Sequence, residues 1–194
     1  NSSINGKQMV DVDLNPNRWT TDSNNVTIFS AEAIQWIPIG EYTHNRSNSY
    51  IESVKTFSGI YDGNNKIING LYINNSLIDE VALFSDNHGT IKNIRLKNSS
   101  IIAGYDVGGI VAENYGNVIN CFNYACIKGT RSVGGIISQN MEGKIENCEN
   151  YGTIEENQKN AYDNYIGIGG IVGWGNSKII GCKNYGKIIQ KYEY

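Results

Sequence analysis

Few residues in this chain are of a type and spacing that could do chemistry. It has 194 residues, with 2 histidines (His44 and His88) and 4 cysteines. No His-Glu-x-x-His occurs, so two metal ligands and a general base are not set on one helical face. There is no Gly-x-Ser-x-Gly nucleophile turn and no phosphate loop. Acid–base hydrolysis needs two carboxyls across the scissile bond. Glu113 is the acid with later counterparts, Glu142 and Glu146, but these shift in position, as residues on a solvated face do. Asp11 and Asp13 alternate with Val10, Val12 and Leu14, which reads as the wet side of a first strand over Met9–Leu14 rather than a cation site. Asp62-Gly63-Asn64-Asn65 is turn chemistry without the further oxygens of an EF-hand loop. The expectation is no catalytic residue, no metal and no cofactor.

Aromatic residues are the better clue to binding. Tyr124, Tyr151 and Tyr185 recur at one place in three successive segments, so they should stack in a row. Tyrosine offers a flat apolar face with a polar tip. The row reads first as packing at a corner, and second as a stripe for a host glycan or host protein. An insertion follows Tyr151. Ile101 to Gly108 and Ile127 to Gly134 are connections of 7 residues, whereas Ile154 to Gly169 is 15. The insertion, Glu155 to Tyr165, carries Asn157, Tyr162, Asp163 and Tyr165. Outgrowths on one turn of a repeat stack commonly sit on its binding face. Tyr151 lies just before Ile154, so the insertion is expected to leave the coil beside the tyrosine row. The candidate ligand-binding set is therefore Tyr124, Tyr151, Tyr185, Asn157, Tyr162, Asp163 and Tyr165.

What positions these residues is a repeat. Gly108-Gly109-Ile110-Val111 returns as Gly134-Gly135-Ile136-Ile137 and as Gly169-Gly170-Ile171-Val172, with a weaker copy at Leu83-Phe84. The steps from Ile110 to Ile136 and from Ile136 to Ile171 are 26 and 35 residues. A period in this range means stacked units. Ile91, Val118, Ile145 and Ile179 are always apolar and face inward, while the next position holds Lys92, Ile119, Glu146 and Ile180 and faces water. Ile94, Cys121, Cys148 and Cys182 face inward again. Two inward positions three residues apart do not fit one flat strand of period two. A corner at Asn93, Asn120, Asn147 and Gly181 restores the fit. The glycine pairs are expected at tight corners of positive φ. No apolar stripe of helical period survives across the copies. The fold class is all-β, a right-handed parallel β-solenoid (β-helix) of about four regular coils, 23–35 residues each. Residues 57–194 form it, and 1–56 form an irregular capping segment with entry strand and loops. Within that segment, Ser30 to Trp36 could make one helical turn capped by Ser30, and Glu41 to Ser53 reads as a long polar loop. Cys121, Cys148 and Cys182 share one ladder position and read as buried free thiols; a bond between neighbours is the alternative, and Cys126 lies outside the ladder.

The units, with Gly-Gly-Ile-Val, Asn-Cys-x-Asn-Tyr and the closing Gly-x-Ile, resemble the GLUG-type repeats of bacterial surface proteins. Asp11-Val12-Asp13-Leu14, Trp36-Ile37-Pro38-Ile39-Gly40 and Phe57-Ser58-Gly59-Ile60-Tyr61-Asp62-Gly63-Asn64 resemble the segment that leads into such repeats. Similar repeats also flank the catalytic domains of immunoglobulin-A-cleaving metallopeptidases. The resemblance covers about residues 9 to 189 and departs from the pattern between Leu14 and Trp36. It implies a β-solenoid of a cell-surface or secreted protein, with adjoining domains of the parent protein as neighbours, and no catalytic residue in the repeats. The rival is a β-helix polysaccharide lyase or hydrolase. Arg95-Leu96-Lys97 resembles the Arg-x-Lys of pectin hydrolases and His88-Gly89 half of their Gly-His-Gly, but their paired aspartates are missing.

Composition bounds the rest. Net charge is −3, from 16 basic and 19 acidic residues, without the basic footprint of a nucleic-acid binder. No apolar run is long enough to insert into a membrane. Ile (29), Asn (28) and Gly (22) against Pro (2) suit ladders and turns. The expected function is a non-catalytic module, a spacer or an adhesive region, outside the cell. The chain reads as an excised fragment of something longer.

Overall fold

In the computed structural model, which describes residues 4–40, 42–45, 50–157 and 167–191, the chain is all-β and winds as parallel coils. Its strands are two to five residues long. Strands so short do not hold alone, and each gains its backbone hydrogen bonds from the same strand one coil away. One face stacks Phe84–Asn87, Val111–Asn114, Ile137–Asn140 and Val172–Gly175. These begin four regular coils, the number the repeat implied. The next two faces each stack six strands, through Thr90–Lys92 and Arg95–Lys97 respectively. A fourth face runs through Ser100–Ala103, and a short fifth one through Val107–Gly108.

The inward rows fall where the repeat puts them. Ile91, Val118 and Ile145 pair in register and are fully buried. Ile94, Cys121 and Cys148 form the next buried row. Burying each such isoleucine contributes about 1.5–3 kcal/mol. Between the two rows the chain turns at Asn93, Asn120 and Asn147, with φ of 57°, 52° and 51°, and at Gly181 with 63°. Left-handed backbone costs an ordinary L-residue roughly 1–2 kcal/mol, and Asn and Gly are the residues that adopt it most readily.

The glycine pairs work differently from expectation. None of Gly108, Gly109, Gly134, Gly135, Gly169 or Gly170 has positive φ. They are glycine because other atoms occupy the space of a Cβ. A Cβ on Gly135 would lie 2.2 Å from the Gly170 carbonyl oxygen and 2.5 Å from the Asn150 side chain. The backbone of one coil rests there directly on the next.

The N-terminal segment joins the stack earlier than residue 57. Gly6–Lys7 and Val12–Asp13 pair in parallel with Tyr61–Asp62 and Ile68–Asn69. Asp11 accepts from the Ile67 N–H, and Asp13 from Asn15 N–H and Trp19 Nε1, so both aspartates fasten strands and turns. Leu14 and Trp36 then pack on the core. Trp36 helps line a cavity of about 80 Å³, with Val12, Leu14, Ile39, Tyr61 and Phe84 among its other walls. Over Ser30–Trp36 one hydrogen-bonded turn closes, Ala33 N–H to the Ser30 carbonyl at 3.1 Å, and no helix follows it. The Asn15 side chain clamps Ile34 from both sides, donating to its carbonyl at 2.9 Å and accepting its N–H at 2.7 Å, which keeps the backbone extended. The region read as a polar loop contains an antiparallel pairing of Tyr42–Asn45 with Tyr50–Val54. Tyr, Thr, Ile and Val are good strand formers, and the polar residues between them masked this.

Candidate functional site

The three tyrosines do form a row. Tyr124 and Tyr151 stack with ring centroids 4.7 Å apart at 4°, and Tyr151 and Tyr185 at 4.9 Å and 18°. Parallel pairing sets this spacing, since strands in a sheet lie about 4.8 Å apart. Each ring covers its neighbour's face. Lys97 Nζ lies 4.7 Å from the Tyr124 centroid and covers the far side of that ring. The Tyr151 hydroxyl donates to Glu149 Oε2 at 2.5 Å, and that carboxylate pushes the phenol up to about 12. The row therefore shows solvent its edges and hydroxyls. One open ring face is left, on Tyr185, which is 58% exposed.

Of the rest of the candidate set, the structure describes Asn157 alone. Asn157 is half-buried, and its N–H donates to the Gly129 carbonyl at 2.7 Å. It lies beyond the far end of strand Ile154–Glu156, up to about 20 Å along the chain from Tyr151 at roughly 3.3 Å per residue. Among the described residues, one strand thus lies between Tyr151 and Asn157. Tyr162, Asp163 and Tyr165 lie outside the described residues. At the base of the insertion, burial pushes Glu155 up, but Lys128 (2.8 Å) and Lys191 outweigh it and hold the carboxyl below its ordinary value.

Polar rows inside the stack were not anticipated. Asn87 Nδ2 donates to Asn114 Oδ1 at 2.7 Å, and Asn114 Nδ2 to Asn140 Oδ1 at 2.8 Å. A second row runs from Asn123 to Asn150 at 2.9 Å and on to Asn184 at 2.8 Å. Asn87, Asn114, Asn140, Asn123 and Asn150 are all buried. Each amide in the second row also bonds locally, as Asn150 Nδ2 does to the Gly152 carbonyl at 3.0 Å. A buried amide must find partners for all its groups, and a like residue one coil away supplies them. The sequence signal was the recurrence of Asn123, Asn150 and Asn184 one strand step beyond the outward Phe122, Glu149 and Lys183.

The cysteine row follows the same logic. Cys121 N–H donates to Cys148 Sγ at 3.4 Å and Cys148 N–H to Cys182 Sγ at 3.3 Å. All four cysteines are free thiols. Hydrogen bonding to Cys121 pushes the Cys148 thiol up, and bonding to Cys148 does the same for Cys182. Thiols held protonated are poor nucleophiles and poor metal ligands.

The residues of the hydrolase-like pattern do not converge. Arg95 and Lys97 lie on one face, where Arg95 caps the Phe122 ring at 5.2 Å. His88 follows a different face, stacked on Tyr115 at 4.5 Å and 3.2 Å from Asp86. Glu113 accepts from the Tyr115 hydroxyl at 2.8 Å, and Glu146 pairs with Lys144 at 2.7 Å. His44 lies on strand Tyr42–Asn45. A cluster not read from sequence sits at the corner leading into the Phe84 and Val111 strands. Arg131 holds Asp106 there, and burial pushes Glu80 up to about 8, with Glu113 and Asp106 adding to the shift. The cluster's signal was absent because the corner connections differ in sequence from coil to coil. Among the described residues no group of three or more His, Cys, Asp or Glu could hold a metal ion, and no helix is long and apolar enough to cross a membrane.

Comparison with known proteins adds one partial likeness. Over 85 residues, 43% of this chain, the sequence is 34% identical to "Halomucin" of Haloquadratum walsbyi (strain DSM 16790 / HBSQ001). The match spans 1% of that protein's length. No family model matches the chain, and no solved structure does.

Proposed function

We propose that this chain is a non-catalytic repeat module of a surface or secreted protein, and that it acts as a spacer. One observation carries the reading: the recurring aromatic row, the feature best suited to a ligand, spends its faces on itself. Sugar recognition by aromatics uses the ring face, and here Tyr124 and Tyr151 are covered on both sides. The coils satisfy their polar groups from coil to coil, which suits a stiff element that sets a distance. The GLUG-like pattern and the partial likeness to a protein of which this match is 1% support a piece of a large extracellular chain. The residues of the lyase or hydrolase alternative are dispersed over separate faces, which favours the non-catalytic reading.

A second reading, adhesion to host glycan or host protein, is favoured by the open Tyr185 ring. A glycan array probed with the whole chain and with Tyr185→Ala separates the two. The spacer reading expects no specific signal from either. Binding by the chain that Tyr185→Ala abolishes would replace it with the adhesive reading.

A further inference from the structure

The last coil ends on a face where the inward rows come to the surface. Ile145 and Ile154 are 0% exposed, yet their counterparts one coil on, Ile179 and Ile188, are 50% and 43% exposed. The apolar interior is cut open there. Strands Val172–Gly175, Ile179–Ile180, Lys183–Asn184 and Ile188–Ile189 each end their sheets on this side, leaving unpaired edges. Such edges invite another strand.

The polar rows say which strand. In the second asparagine row every amide donates one N–H locally and the other to the next coil's Oδ1. Asn150 donates to Gly152 O and to Asn184 Oδ1. Asn184 donates to Gly186 O at 2.9 Å, and among the described residues its other N–H has no acceptor. The cysteine row has the same polarity. Cys121 and Cys148 each give their N–H to the next sulfur, while the Cys182 N–H has no partner among the described residues. Both rows run in one direction, and both stop on a donor.

We infer that the face formed by Val172, Ile179, Cys182, Asn184 and Ile188 is a docking surface for one further parallel coil of this repeat. That coil carries an asparagine over Asn184, an acceptor over Cys182 and apolar residues over Ile179 and Ile188. Lys191 N–H donates to Glu156 Oε2 at 2.9 Å, so the backbone still follows the path of the coil before. A second copy stacked head to tail is the wrong complement. The Asn184 position runs back through Asn150, Asn123, Leu96 and Ile68 to Val12. A copy docked by its first coil would set an apolar side chain on the Asn184 donor and leave it unsatisfied.

The test extends the full chain after Lys191 with a copy of residues 131–157, which sets its row positions 26 or 27 residues beyond those of the last coil, the spacing of the earlier coils. The proposal expects the thermal midpoint to rise by roughly 4 °C or more. It also expects amide exchange at Cys182 to slow by about tenfold or more. In a matched extension, the copy of Asn150 is replaced by Leu, and both gains should shrink while the original coils keep their protection. An extension that stays unprotected with an unchanged midpoint overturns the proposal, and so do equal gains from the Asn and Leu forms. Sedimentation of the unextended chain supplies the remaining arm. A monomer is expected, and a dimer that protects the Cys182 amide would make a second copy the occupant and sink the idea.

Discussion

The asparagine rows inside the stack and the tyrosine row outside it repeat with the same period, yet different physics holds them. Asn123, Asn150 and Asn184 are tied by amide bonds of 2.8–2.9 Å. The first two have no access to water, so a broken bond there has no substitute. Tyr124, Tyr151 and Tyr185 touch through ring faces at 4.7–4.9 Å and keep their edges wet. An offset or parallel aromatic contact adds only about 0.5–1.5 kcal/mol. A buried amide stripped of a partner costs about 1–3 kcal/mol for each group left unpaired. The two rows sit at adjacent positions of the repeat. Recurrence alone therefore says nothing about whether a residue is holding the fold or facing a partner. Burial decides that.

Substitutions along one coil sharpen the contrast. Ile145→Asp has the largest expected effect, because a charge enters an apolar row with no counter-ion. It should cost upwards of about 4 kcal/mol and leave the chain unfolded at 37 °C by circular dichroism. Asn150→Ala should come next. It removes the side-chain bonds to Asn123 Nδ2, Asn184 Oδ1 and the Gly152 N–H and carbonyl, for an expected loss of about 3–5 kcal/mol in denaturant melts. Tyr151→Ala removes the middle ring of the outer row and should cost about 1 kcal/mol in the same melts. Glu146→Ala should change stability by less than about 0.5 kcal/mol, since its partner Lys144 is itself solvated. A Tyr151→Ala loss as large as that of Asn150→Ala would erase the distinction between the rows.

Much of the coil was legible because each inward position is filled by one kind of residue. Ile91, Val118 and Ile145 announce a buried row, and the spacing to Ile94, Cys121 and Cys148 forces a corner between them. The corner residues, Asn93, Asn120, Asn147 and Gly181, are those that tolerate left-handed backbone, and they adopt it. The glycine pairs were placed at corners for the wrong reason. Sequence shows that a Cβ is missing but not whether conformation or a neighbouring carbonyl excludes it, as at Gly135. The asparagine rows were hidden because a polar residue reads as wet, and only the neighbouring coil supplies what lets an amide be dry. Counting residues from Tyr151 to Ile154 does not show strand Ile154–Glu156, which lies between Tyr151 and Asn157. The N-terminal segment was the least legible part, because its contacts, such as Asn15 with Ile34, occur once and leave no pattern.

The account stands on the inner rows being locked by coil-to-coil bonds. Hydrogen exchange of the asparagine side-chain amides, followed residue by residue by NMR, reads this directly. The Nδ2 protons of Asn114, Asn123 and Asn150 should exchange only with unfolding of the stack, at least about a thousandfold more slowly than that of the exposed Asn5. Exchange of these amides at the rate of Asn5 would contradict it.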